Sequence, residues 1–254
     1  MNRYKFMDEE VPYGILEQFG LTREMIGDLP LNILQDIYSG HRSPVLPIRV
    51  NDTEGNTIRC RTRFSLIRRE DGTADVLFYP VLVESCLERF TDDKKQRLTE
   101  GKAVVDTLTT ADGKQVQAFH QIDPETRQIL SVPTPVIGRN LQIVSDEFRL
   151  SNAEINCLRN GEQLTVAEGD GLISIGIDLS EPTGIRVCAG DSIQWEKTSK
   201  KEWEKYSFGC FGCWVTDDEG NHDYVPEEEY SEELWNELKK SSLRKSQNAN
   251  APKL

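Results

Sequence analysis

Three glycines spaced about 60 residues apart, Gly40, Gly101 and Gly161, constrain the fold of this chain more than any other feature. Eleven residues before each lies a large apolar residue (Leu29, Phe90, Leu150), and three before each lies another (Ile37, Leu98, Leu158). Such a stretch closing on glycine reads as a helix with a left-handed stop, since glycine adopts positive φ without a Cβ clash. In the second and third repeats a hydroxyl stands at the N-cap position, in Thr91-Asp92-Asp93 and Ser151-Asn152-Ala153-Glu154. There it accepts a bond from the unpaired N–H groups of the first turn. Pro30 takes that place in the first repeat.

After each glycine the pattern changes to strands separated by turns. The strands expected are 47–50, 57–68 and 74–81 in the first repeat, 103–108, 115–121 and 128–132 in the second, and 163–166, 172–178 and 185–188 in the third. Turns such as Glu70-Asp71-Gly72, Ala111-Asp112-Gly113 and Glu181-Pro182-Thr183-Gly184 join them. These are hairpin signals, because glycine supplies the φ > 0 that tight connections need. Each repeat therefore predicts one helix followed by a three-stranded antiparallel meander. A lone meander buries too little to stand, so the units must pack on helices or on each other.

The ends differ. Residues 11–28 predict two short helices split near Gly20, with Thr22 capping the second. Residues 192–206 read as a helix carrying Trp195, Trp203 and Tyr206, followed by a hairpin of 208–215 with 221–225. Ser231 caps a last helix through Leu238, with Glu232 and Glu233 in its favourable first turn, and the polar stretch after it is expected to be mobile. The expected class is α+β: helix-plus-meander units, short N-terminal helices and a C-terminal helix-hairpin-helix. The expected division is 1–89, 90–149, 150–191, 192–238 and a tail at 239–254.

Charge narrows the function. The 254 residues carry 30 Lys and Arg against 43 Asp and Glu, a net charge of −13. A coat of nucleic-acid phosphates needs a basic surface, so only a local basic patch could serve that role. No run approaches the ~20 apolar residues of a membrane span. The acidic start (Asp8, Glu9, Glu10) has no signal-peptide character, so a cytoplasmic location with six reduced cysteines is expected.

That local patch lies in the first repeat. Residues 40–70 hold seven arginines against three acids. Arg59, Arg61 and Arg63 alternate along one strand, opposite in facing to Cys60, Thr62 and Phe64, and Arg49 and Arg68 lie in the same sheet. A row of guanidinium groups suits phosphate or an acidic protein surface, and equally a solvated sheet face. Phe78 and Tyr79 are the aromatics across the turn.

Other constellations are weaker. Cys210-Phe211-Gly212-Cys213 is half a zinc site, with His222 as a third candidate ligand, but a structural site needs four. Two small buried cysteines beneath Trp214 are the plainer reading. His41 and His120 have no carboxylate fixed by spacing. Nine acids fall within residues 217–233 without the ligand order of a calcium loop. No phosphate-binding loop, nucleophile elbow or metalloprotease motif occurs, so no catalytic residue and no cofactor is assigned.

The stretches FGLTREMIGDLP, SGHRSPVLPIRV, TRFSLIRREDGTADVLFYPV, RLTEGKAVV, VPTPVIGRNLQ, LSNAEINCLRNGE and GIDLSEPTGIRVC carry a resemblance along nearly the whole chain. It resembles an uncharacterised family of conjugative and other mobile elements in Bacteroidetes. The first block is similar to that family's N-terminal module. The helix–glycine–strand blocks are similar to a second module that in some relatives sits beside a type IA topoisomerase. The resemblance implies a genomic setting and brings no catalytic residues. The function expected is a non-catalytic accessory or adaptor protein of a mobile element that binds another of its proteins. Nucleic-acid binding through the arginine row (Arg49, Arg59, Arg61, Arg63, Arg68) is the alternative. A metal or redox protein built on Cys210, Cys213 and His222 is the third.

Overall fold

The computed structural model of the protein describes residues 5–51, 54–197 and 204–249. In chain order the elements begin with α1 (Tyr13–Gln18), α2 (Arg23–Gly27), α3 (Leu31–Tyr38), β1 (Leu46–Asn51), β2 (Thr57–Arg68) and β3 (Ala74–Pro80). Next come α4 (Asp92–Thr99), β4 (Val104–Thr109), β5 (Gln115–Ile122), β6 (Ile129–Pro133), α5 (Thr134–Phe148), α6 (Asn152–Arg159), β7 (Leu164–Glu168), β8 (Gly171–Ile177) and β9 (Ile185–Ala189). The last are α7 (Ser192–Lys197), β10 (Tyr206–Phe208), β11 (Gly212–Thr216), β12 (His222–Pro226) and α8 (Glu232–Ala249). Among the described residues the strands form four separate three-stranded antiparallel meanders: β1-β2-β3, β4-β5-β6, β7-β8-β9 and β10-β11-β12. The α+β class of helix-plus-meander units is what the chain adopts.

The glycine repeat has one physical cause, seen three times. Gly40, Gly101 and Gly161 have φ of 81°, 77° and 78°. Each donates its N–H to the carbonyl three residues back (Ile37, Leu98, Leu158), at 2.9 Å in all three cases. The next residue in each case (His41, Lys102, Glu162) reaches the carbonyl five back (Asp36, Arg97, Cys157) at 2.9–3.0 Å. This bond pair defines a Schellman stop, and it needs the left-handed residue that glycine provides. Ile37, Leu98 and Leu158 are all fully buried, so each stop is fixed against a core.

Two compact units emerge: residues 1–80 with 202–254, and residues 81–201. This grouping differs from the serial division expected from the sequence, because the C-terminal meander folds with the N-terminal module. In the first unit Phe6, Leu16, Ile37, Phe64, Leu66 and Trp214 belong to one buried cluster. Trp214 is completely buried, and its indole N–H donates to the Met25 carbonyl at 2.9 Å. Thr22 caps α2 through its hydroxyl, as the sequence suggests.

In the second unit α4 covers one face of β4-β5-β6 around Phe90, Leu98 and Val104. Helix α5 covers the other face and also packs on α6 and β9, so Ile137 and Leu141 share a core with Phe119, Leu158, Ile175 and Ile185. Sequence patterning misses α5. It starts from Pro133 with no side-chain cap, carries Gly138 inside it, and ends on Arg149 at φ 53° where a glycine would be the usual signal.

Further corrections follow from local geometry. Ser151 makes the expected reciprocal capping box with Glu154, but the Thr91 side chain makes no cap bond. Tyr206 begins a strand, not the end of a helix, and so the C-terminal hairpin gains a third strand. Residues 198–203, including Trp203, lie outside the described residues. Beyond Leu238 the expected mobile tail continues as helix to Ala249. Among the described residues no helix is long and apolar enough to cross a membrane.

Candidate binding surface

Strand β2 is twelve residues long, and its two neighbours divide it. β1 pairs with Thr57 to Thr62 and β3 with Thr62 to Arg68. The outer half of β2 is therefore a two-stranded arm, and Thr57, Ile58, Arg59 and Cys60 are all exposed. Further along, Thr62, Phe64 and Leu66 turn into the core.

The register places Arg49 directly opposite Arg59 on the arm, and Tyr79 opposite Arg63. Arg59, Arg61 and Arg63 share the face away from the core, as their alternation predicts, but their surroundings differ. Arg61 is half-buried: Nη1 donates to the His222 carbonyl at 2.9 Å and Nη2 meets the Asp223 carboxylate at 3.2 Å. Arg63 is half-buried opposite Tyr79. Arg49 and Arg59 are exposed, and among the described residues neither meets a carboxylate. Side chains directly opposite in an antiparallel ladder have Cβ atoms about 5 Å apart, and like charges there destabilise the pair.

Arg68 leaves the row. It points to the opposite face, where it binds Glu10 at 2.9 Å and the Lys5 carbonyl at 2.9 Å and lies over the Phe6 ring. The Glu10 carboxyl is held below its usual range by Arg68. Both aromatics named with the row are engaged. Phe78 lies on the core side, 4.5 Å from the Phe19 ring, while Tyr79 is covered by Arg42 at 4.1 Å and bonded to Ser65 at 3.1 Å.

The candidate metal ligands do not converge. Cys213 lies opposite Val225, while His222 lies opposite Thr216, so the two point to opposite faces of the C-terminal sheet. Cys210 sits in the turn between β10 and β11, not within a strand. That turn wraps a carboxylate: Asp28 accepts the N–H groups of Cys210 (2.6 Å) and Phe211 (2.9 Å) and the Tyr224 hydroxyl (2.7 Å). A Cβ on Gly212 would overlap Tyr224, and one on Gly209, just before the motif, would overlap Asp28, which accounts for both glycines. Cys213 is fully buried, and burial pushes its thiol up to about 11, the reverse of a reactive or metal-binding thiolate. Among the described residues no group of three or more His, Cys, Asp and Glu side chains is placed to hold a metal ion.

Two families of unknown function match the chain. Residues 6–89 match one described as Protein of unknown function (DUF4099), and residues 86–130 match one described as Protein of unknown function (DUF3945). No curated protein and no solved structure matches. The arginine arm lies wholly within the DUF4099 stretch, whereas Asp28's partners at Cys210, Phe211 and Tyr224 lie outside both.

The DUF3945 stretch contains His120, which is fully buried. Its Nδ1 lies 3.0 Å from Arg89 and 2.7 Å from the Ser131 hydroxyl, and burial followed by Arg89 lowers its basicity. His120 pairs with Val104, three residues after Gly101, just as Ile175 pairs with Leu164, three after Gly161. It therefore occupies a core position of the repeat. His41 lies 3.4 Å from Asp36 at the surface. Asp28 was not legible as a structural anchor, because its partners lie more than 180 residues away.

Proposed function

We propose that this chain is a non-catalytic accessory protein of a bacterial mobile element, acting in the cytoplasm by binding another protein, with Arg49 and Arg59 as its contact. The observation that carries the reading is the exposed pair of like charges facing each other across the arm, with no carboxylate among the described residues against them. Such a pair costs stability in the free protein and is relieved when an anionic partner lies between the two groups. The genomic setting rests on the resemblance of the sequence blocks. A protein is favoured over a nucleic-acid strand because the face's one aromatic, Tyr79, already carries Arg42 and is not a vacant stacking platform. The neighbouring Arg61 already pairs with a carboxylate.

The test is affinity capture from the native host with the wild-type chain and with Arg49→Gln/Arg59→Gln, followed by rebinding of the purified partner. A protein retained by the wild type and lost by the variant is the expected result. Equal capture by both would overturn the assignment of the arm. A salt-sensitive shift of DNA or RNA that the variant abolishes would replace the protein partner with nucleic acid.

A further inference from the structure

We infer that the Arg49–Arg59 arm takes an extended, Asp- or Glu-bearing segment of its partner, laid across the sheet face. This deepens the reading of the arm as a protein contact and rests on it. The chain contains its own example of the interaction. Arg61 reads strand β12 at two points, the main-chain carbonyl of His222 at 2.9 Å and the carboxylate of the next residue, Asp223, at 3.2 Å. The guanidinium fork suits that recognition, since its donors can reach two oxygens held a fixed distance apart. Arg59 stands two residues from Arg61 on the same face, roughly 7 Å along the strand. Same-side carboxylates of an extended chain recur at that same two-residue interval. A segment lying beside β12 can therefore present such an oxygen pair to Arg59, with Arg49 opposite adding a second guanidinium.

The segment lies on the face rather than pairing alongside β1. β1 is an edge strand, but Pro47 has no N–H to offer and the Arg49 N–H is already given to the Phe19 carbonyl at 2.9 Å. A fourth strand would find only the last residue of β1 open. The net charge of −13 does not prevent the contact, because screening over about 8 Å at physiological salt leaves the arm's own charges dominant at close range.

The experiment uses the full chain and a fluorescein-labelled synthetic peptide with the sequence of residues 217–229, the acidic strand that Arg61 already reads. Fluorescence anisotropy should show saturable binding to the wild type and binding weaker by about tenfold or more to Arg49→Gln/Arg59→Gln, the loss of at least one charged hydrogen bond. Arg159→Gln, an exposed arginine of the other compact unit, should bind like wild type. A peptide with Asn and Gln replacing every Asp and Glu should not bind. Thermal unfolding of the double variant checks that it is folded. Three results overturn the inference: no binding of the acidic peptide, equal binding of the neutral one, or no effect of the double variant. If the peptide fails while Arg49/Arg59-dependent capture of a purified partner persists, the protein-contact reading stands and only the extended acidic segment falls. If labelled oligothymidine binds and the double variant abolishes it, both fall.

Discussion

Asp28 accepts the backbone N–H of Cys210 at 2.6 Å across 182 residues of chain. With the Phe211 N–H and the Tyr224 hydroxyl, it gives one buried carboxylate three donors, and it ties α2 to the turn that opens β11. The role of the Cys-Phe-Gly-Cys segment is thus to bring two main-chain N–H groups onto an aspartate.

Removing that carboxylate strands its donors. Asp28→Ala should cost on the order of 3 kcal/mol, and Asp28→Asn somewhat less because one acceptor oxygen survives. Urea unfolding followed by tryptophan fluorescence reads the loss, since Trp214 is buried in the same core as Ile26 and Leu29, which flank Asp28. An Asp28→Asn chain as stable as wild type would contradict the anchoring role.

His222 makes stability depend on pH. It is 7% exposed, and burial, reinforced by Arg61, lowers its pKa from 6.5 to about 4. The unfolded chain takes up the proton first, so this contribution is complete above pH 6.5 and is withdrawn as the pH falls toward 4. The loss is about 2 kcal/mol by pH 5, where carboxylates remain largely ionised. His222→Gln should flatten the difference between pH 7 and pH 5 for the first unit. His120 acts in the same direction in the second unit, so part of the slope should remain. An unchanged slope in the His222 variant would sink the assignment.

Relieving the charge pair should stabilise the free protein. Arg59→Gln removes a like charge placed directly across from Arg49, so it should gain about 0.2–1 kcal/mol while weakening partner binding. Opposite signs in the two measurements mark a surface kept for binding. A loss of stability would show that Arg59 contributes to folding.

Glycines of the second unit should divide by environment. Gly138 lies within α5 with open space where a Cβ would stand, so Gly138→Ala should stabilise by up to about 1 kcal/mol. Gly161 has φ 78°, and its Cβ would strike the Ala103 carbonyl. Gly161→Ala should cost roughly 2 kcal/mol or more, from left-handed strain plus that collision. Melting temperatures of the two variants, moving in opposite directions, check both.

What could be read from the sequence followed how local its cause was. The helix stops at Gly40, Gly101 and Gly161 were legible because a short-range backbone requirement demands glycine. The meanders were legible because alternation and turn chemistry are written within a few residues. Helix α5 was hidden because Arg149 occupies the left-handed position that glycine normally marks. The arginine alternation was visible too, but the separate fates of its members were not. Asp223 arrests Arg61 and Glu10 arrests Arg68, and both acids come from elements distant in the chain. Asp28 gave no signal at all, since one aspartate after a short helix looks like any other.

The interleaving of the two compact units bears on how the protein is made. Residues 1–80 emerge from the ribosome a whole unit before Trp214, the largest fully buried side chain of their core. During that interval residues 81–201, which are continuous in sequence, can complete their own core, while the N-terminal module waits with the seat for Trp214 unfilled. The N-terminal module is thus translated before residues 81–201, yet its core depends on a strand made only after that whole unit has been passed.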